Sequence, residues 1–247
     1  MFHKIILDYD TNLFDELAST TNFEKITNGR DGAVLVSVAE TNGHIPLVRT
    51  TTKYTCKPQQ FQPIHYDIIN KIINSFNKSI ITNITFNNAL IEIYNNQYCN
   101  MGFHSDQALD LEDDWYIAVY SCYEHPLEIN NNNTRQLIIV NKVTKEQTEI
   151  NMDHNSVIIF DTSTNKQYLH KIVSNNNKIC RWLGITFRLS KTFVTHKDGI
   201  PYLNNTTILT LATDEECKEF YKLRCLENKQ TDFVYSNITY TISSSDL

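Results

Sequence analysis

Phe86–Asp106 reads FNNALIEIYNNQYCNMGFHSD. Its opening, Phe86–Tyr94, is rich in β-branched and aromatic side chains. A polar loop with Gly102 follows, and the stretch ends on His104-Ser105-Asp106. Runs of the same kind recur downstream at Trp115–Tyr123, Gln136–Val143, Gln147–Met152, Val157–Phe160, Tyr168–Val173 and Trp182–Ser190, with polar loops between them. Short strands at this spacing predict a sandwich or jelly roll rather than alternating β-α units.

Working outward, Val140–Ile150 reads as a hairpin turning near Thr144–Glu146, and Ala33–Ala39 as a strand. Residues 1–30 read as irregular, with one short helix near Asn12–Ala18. Pro63 opens a segment with apolar residues at Ile64, Ile68, Ile69, Ile72, Ile73 and Phe76, the spacing of an amphipathic helix with Pro in its first turn. Thr213 is positioned as an N-cap with Glu216 at the capping-box position, so a helix is expected from there. Phe233–Ile242 would be a last strand or hairpin.

Composition bounds the function. The chain has 247 residues, a formal net charge of −6 and 41% hydrophobic residues, enough for a sizeable core and too much for general disorder. Mean hydropathy is −0.36, no apolar run is long enough to span a membrane, and residues 1–10 are too acidic for a secretory signal. The six cysteines form no C-x-x-C pair, which argues for free thiols in a reducing compartment and against structural zinc. An intracellular protein, cytoplasmic or nuclear and monomeric, is expected. The N-x-[ST] matches at Asn77, Asn83, Asn132 and Asn237 follow from heavy asparagine use. A pI near 5.7 gives no global footprint for nucleic acid but leaves local basic patches open.

The chemistry lies in His104-Ser105-Asp106 and in His170, inside the apolar run Tyr168–Val173. Two neutral imidazoles and one carboxylate can hold Fe(II) on one face and leave positions open for co-substrate and O2. H-x-D is common, however, and a lone strand histidine is more often a packed or surface residue. Arg181 and Arg188 follow in a β-rich segment, and a co-substrate carboxylate requires such an arginine. By strand alternation Arg188 shares a face with Thr186, Gly184 and Trp182, and Arg181 points the other way unless a bulge intervenes.

These motifs together resemble the AlkB-like Fe(II)/2-oxoglutarate-dependent dioxygenases over roughly residues 30 to 195. Tyr94 matches the tyrosine of the family's N-x-Y strand, Met101-Gly102 the approach, and His104 and Asp106 the H-x-D ligands. Thr164-Asn165, Tyr168 and His170 resemble the segment with the second histidine, and Thr186-Phe187-Arg188 the closing T-F-R. Ile45–Arg49 and Tyr54 resemble the substrate lid of members acting on nucleic acid. Two positions depart from the pattern: Glu92 stands where the family has Asn, and Trp182 where it has the first of two arginines.

The resemblance implies a mainly β fold with flanking helices, a double-stranded β-helix (jelly roll), at residues 31–195. An N-terminal segment (1–30) precedes it, and a C-terminal extension (196–247) packs on it. It implies Fe(II) held by His104, Asp106 and His170, and 2-oxoglutarate held by Arg188 and Tyr94, with Arg181 the weaker candidate. Alkylated DNA or RNA is the leading substrate class, undergoing oxidative demethylation, with Tyr54, Arg49 and Phe103 as substrate contacts. The alternatives are a protein hydroxylase or demethylase of the same superfamily, or a scaffold without turnover. The loop His44–Cys56 is expected over the pocket mouth, where its cations would compete with Asp110, Glu112, Asp113 and Asp114 if those lie on the same rim.

Overall fold

A computed structural model describes all residues except 39–42, 77–83, 100, 131–132 and 175–179. The sequence matches at Asn77, Asn83 and Asn132, and most of the asparagine runs, lie outside the described residues.

The main sheet runs β1 (His3–Ile6), β10 (Ser156–Asp161), β7 (Tyr116–Tyr123), β12 (Trp182–Arg188), β6 (Asn88–Tyr94), β3 (Arg30–Val36), β2 (Glu24–Thr27), with β5 (Gln59–Gln60) beside β3. Its central strands pair antiparallel, so opposed residues share a face. Both faces are covered, which is why the central strands are apolar throughout rather than alternating. On the outer face Leu35, Ile91, Ile185 and Tyr120 pack with α1 (Phe14–Ser19) and α2 (Pro63–Phe76). Helix α2 turns its buried stripe Ile64, Ile68, Ile69 and Ile72 inward, as the spacing requires. On the inner face Tyr94, Val119, Tyr123, Ile158 and Trp182 pack against Leu137, Ile139 and Ile172 of a second sheet. That sheet is β11 (Tyr168–Val173), β8 (Gln136–Asn141) and β9 (Gln147–Asn151). The β8–β9 turn falls where the sequence places it, with Lys145 at φ 63°. Two sheets enclosing one core, with helices outside, form the expected double-stranded β-helix.

The N-terminal segment is more ordered than its sequence suggests. β1 and β2 occupy the two ends of the main sheet's strand order, and β3 begins at Arg30, before the apolar run. Short, half-exposed strands carry little hydrophobic pattern, so pairing rather than periodicity makes them strands. The β2–β3 turn needs Gly29 (φ 77°), where a Cβ would lie 2.7 Å from the backbone N of Tyr98.

Beyond the jelly roll, β4 (Ile45–Leu47), β13 (Thr192–Lys197), β14 (Ile200–Leu203) and β15 (Thr207–Ile208) form a small sheet. β16 (Thr210–Leu211) pairs with β17 (Tyr240–Thr241), so the expected strand at Phe233–Ile242 is reduced to two residues. Helix α3 (Thr162–Gln167), unforeseen in the sequence, starts on Asp161, whose carboxylate accepts from Thr164 N. Helix α4 (Asp214–Lys229) carries the full Thr213/Glu216 capping box. Among the described residues, no helix is long and apolar enough to cross a membrane. All six cysteines are free thiols.

Candidate metal centre

His104 and His170 meet because their backbones form an antiparallel bridge. His104 N donates to His170 O (3.0 Å) and His170 N to His104 O (2.6 Å). Directly opposed residues project to one side, so the two rings lie 4.6 Å apart between centroids. Asp106, two residues on, returns to that side. The ligand atoms of His104, Asp106 and His170 lie within 4.8 Å of one another. Helix α3 fixes the loop: Asn165 Oδ1 accepts from Asp106 N and Asn165 Nδ2 donates to Asp106 O, both at 2.7 Å.

The triad fits a divalent cation. Asp106 Oδ2 and His170 Nδ1 are buried with no protein partner, a costly state unless a bound group satisfies them. His104 Nδ1 donates to the Gly102 carbonyl (2.9 Å), which sets the tautomer and leaves Nε2 as the ligand atom. Burial first, then neighbouring His104, pushes the His170 imidazole down to about 3. Burial and then Arg224 lower His104 as well. For Asp106, burial would raise the carboxyl, but Arg188, aided by the two histidines, holds it at about 2. Neutral imidazoles and an ionised carboxylate are the protonation states a metal requires. Arg188 Nη2 donates to Asp106 Oδ1 (2.8 Å), and both side chains are buried.

Above the triad lies a mouth of about 360 Å³ bordered by Val48, Thr50–Thr52, Phe103, Gln107 and Arg224. It shares His104, Asp106, Arg188 and Arg30 with an inner cavity of about 70 Å³ lined by Glu92, Tyr94, Trp182 and Thr186. Tyr94 lines this cavity, and its hydroxyl donates to Glu92 Oε2 (2.6 Å).

Three expectations need correction. Arg181 points away and forks onto Glu124 at the surface (3.0 and 2.5 Å), because no bulge breaks the β12 register. Arg49 does not face the mouth. It is buried on Asp110, while its neighbours Val48 and Thr50–Thr52 border the mouth. Tyr54 is buried and lines a separate apolar cavity of about 270 Å³, its hydroxyl above Gly32. Phe103 does sit at the mouth, 37% exposed, with Lys171 Nζ 4.6 Å from its ring centroid. None of Asp110, Glu112, Asp113 and Asp114 lines the mouth. Asp110 is held by Arg49, and Asp113 by Lys191 and Lys166.

The C-terminal extension supplies residues that no sequence signal marked. Asn228 Oδ1 on α4 accepts from Ser105 N (3.1 Å) and Oγ (3.2 Å), Arg224 donates to Ser105 O, and Glu227 Oε1 accepts from Ala108 N (2.8 Å). Ser105 is the residue between the two ligands, so α4 braces the centre. Asn228→Ala is expected to weaken Mn(II) binding by about tenfold, the low end of what supporting residues contribute. A titration followed by electron paramagnetic resonance checks this, and unchanged affinity would make the contact dispensable.

A family model for the 2OG-Fe(II) oxygenase superfamily matches residues 11–196. No curated protein matches the chain. Among solved structures, "The structure of OsALKBH1" is similar at a TM-score of 0.51 and 11% identity, covering 76% of this chain and 97% of that one. A crystal structure of a Pseudomonas putida prolyl-4-hydroxylase is similar at 0.45 and 10% identity, covering 76% and 92%. The first of these bears on the fold alone. With most of the chain matched by the family model and the H-x-D and distant histidine brought to one point, the chain belongs to the 2OG-Fe(II) oxygenase superfamily, whose Fe(II) and 2-oxoglutarate its triad is built to use.

Proposed function

We propose that the enzyme oxidatively demethylates alkylated bases in DNA or RNA. With Fe(II) and 2-oxoglutarate bound, such a centre would use O2 as the four-electron oxidant: the co-substrate loses CO2 and takes one oxygen atom to become succinate, and the substrate C–H takes the other to become C–OH. Where that carbon is an N-methyl group, the product sheds formaldehyde. His104, Asp106 and His170 would hold the iron, and Arg188 and Tyr94 would border the co-substrate.

The mouth's lining carries this reading. It holds three arginines, Arg30, Arg188 and Arg224, against one acid, Asp106, with the aromatic Phe103 beside Lys171. Cations along a groove with an exposed ring suit a phosphate backbone beside a stacked base. Six free thiols support an intracellular setting.

One observation favours the second reading, a protein substrate. Each arginine already carries a carboxylate partner, Glu92, Asp106 and Glu227 respectively, which offsets the rim's charge.

Oligonucleotide binding across a salt series separates the two. Two phosphate contacts on a single strand, by Arg224 and Lys171, predict a log–log slope near −1.4, or about a sevenfold loss between about 50 and 200 mM salt. Formaldehyde release from methylated DNA or RNA should accompany it. No binding at low salt, together with oxidation of a peptide library, would instead establish the protein reading.

A further inference from the structure

We propose that Arg30, rather than an arginine of β12, is the residue that receives the distal carboxylate of 2-oxoglutarate, with Glu92 as the positioning residue that aims it. The inference rests on the superfamily's co-substrate and concerns which residue of this chain holds its far end.

β12 offers no cation for that end. Trp182 is 1% exposed and lies inside the jelly roll, its ring 4.9 Å from Tyr94 and its Nε1 donating to Ser121 Oγ (2.7 Å). The indole covers Gly184, where a Cβ would sit 2.0 Å from Cη2, so no side chain at Gly184 could share the space. Arg181 is outside on Glu124, and Arg188 is at the metal end on Asp106.

Among the described residues, the cavity is lined by two cations only, Arg30 and Arg188. Arg30 gets there by register. It is opposed to Tyr94, which is opposed to Trp182, and one inward row therefore runs across β3, β6 and β12. Arg135 is also buried, against the Tyr94 and Trp182 rings, but it donates to the Tyr98 and Asn95 carbonyls and does not line the cavity.

Glu92 holds Arg30 in place. Its Oε1 accepts from Arg30 Nε (2.6 Å) and pairs with Nη2 (2.5 Å), while Oε2 accepts from Tyr94. A guanidinium has five N–H donors, so it can serve a second carboxylate beside Glu92. The charges also close. Arg30 and Arg188 balance Glu92 and Asp106, and Fe(II) balances the co-substrate dianion. A 2-oxo acid without the second carboxylate would leave one buried positive charge uncompensated.

The test is calorimetry on Mn(II)-loaded protein with 2-oxoglutarate and with 2-oxobutanoate, which keeps the chelating end and lacks the far carboxylate. Wild type should prefer 2-oxoglutarate by about 10- to 100-fold, the worth of charge-assisted hydrogen bonds. Arg30→Met should bring the two acids within about threefold of each other, far less than one such hydrogen bond is worth, with Mn(II) stoichiometry unchanged as the check on folding. Glu92→Gln removes the competing charge, keeps a polar partner for Arg30, and should retain the preference. A folded, metal-loaded Arg30→Met that still prefers the dicarboxylate would overturn the assignment, and a folded Glu92→Ala that keeps the full preference would overturn Glu92's positioning role. Wild type that binds Mn(II) and neither acid would fail earlier, at the co-substrate itself, and remove Arg30's role with it.

Discussion

Asp106→Ala is expected to abolish stoichiometric metal binding and, in the metal-free protein, to cost about 3–5 kcal/mol of folding stability. Two losses combine. The carboxylate is the one charged ligand of the triad, and two neutral imidazoles alone offer a weak site for Fe(II). It is also the partner of Arg188, and both side chains are 7% exposed. Removing it leaves a buried guanidinium with an unsatisfied edge, since Arg188 Nε already has no partner. His170→Ala should lose the metal without stranding a charge. The pair of variants therefore separates ligation from ion pairing. Asp106→Ala/Arg188→Met should recover part of the lost stability but none of the metal, because the stranded charge is gone and the ligand is still missing. Metal titration gives the first quantity, and urea denaturation with chelator present gives the second, free of stabilisation by bound ion. One ion still bound per Asp106→Ala chain would place the centre elsewhere. A stability loss below about 1 kcal/mol would mean that the pair behaves like an exposed one.

Arg49→Ala should be about as destabilising, near 3–5 kcal/mol, and should loosen the C-terminal extension. Arg49 is 4% exposed and Asp110 is fully buried. The guanidinium forks onto Asp110 through Nη2 to Oδ1 (2.7 Å) and Nε to Oδ2 (3.0 Å), and the Arg49 backbone N adds a third bond to Oδ2 (2.7 Å). Nη1 donates to the carbonyls of Ile238 (2.7 Å) and Tyr240 (3.0 Å). One side chain thus ties the loop after β4, the loop following the H-x-D ligands and the C-terminal segment. Truncation leaves a buried carboxylate uncompensated and two carbonyls without this donor. Arg49→Lys should rescue little, because an ammonium cannot reproduce the planar fork. Urea denaturation measures the loss, and hydrogen exchange should show faster opening at residues 233–242. Exchange unchanged there would disconnect Arg49 from the extension. This role also explains why the sequence reading misassigned Arg49. A basic residue in a polar loop reads as a surface contact until its partner, Asp110, is known.

What the sequence determined by itself is what depends on near neighbours. Helix α2 follows from apolar spacing, the α4 start from Thr213 and Glu216, and the central strands from their β-branched and aromatic runs. The triad was legible because H-x-D on an extended backbone points both ligands to one side, and the downstream strand run contained one histidine, His170. Tertiary structure decided what depends on distant pairing. Alternation along β12 gave Arg188 its face, but only the unbulged register with β7 and β6 excluded Arg181. Arg30 lies before the apolar part of β3, with nothing local to mark it, and reaches the cavity because the β3–β6 register opposes it to Tyr94. α4 is a recognisable helix, but its place against Ser105 is set by Asn228, Arg224 and Glu227 bonding to backbone more than 100 positions earlier in the chain. Helix periodicity and capping act within a few residues and leave their pattern in the sequence. The partner of a buried charge is chosen by packing across the whole chain, so it leaves no such pattern.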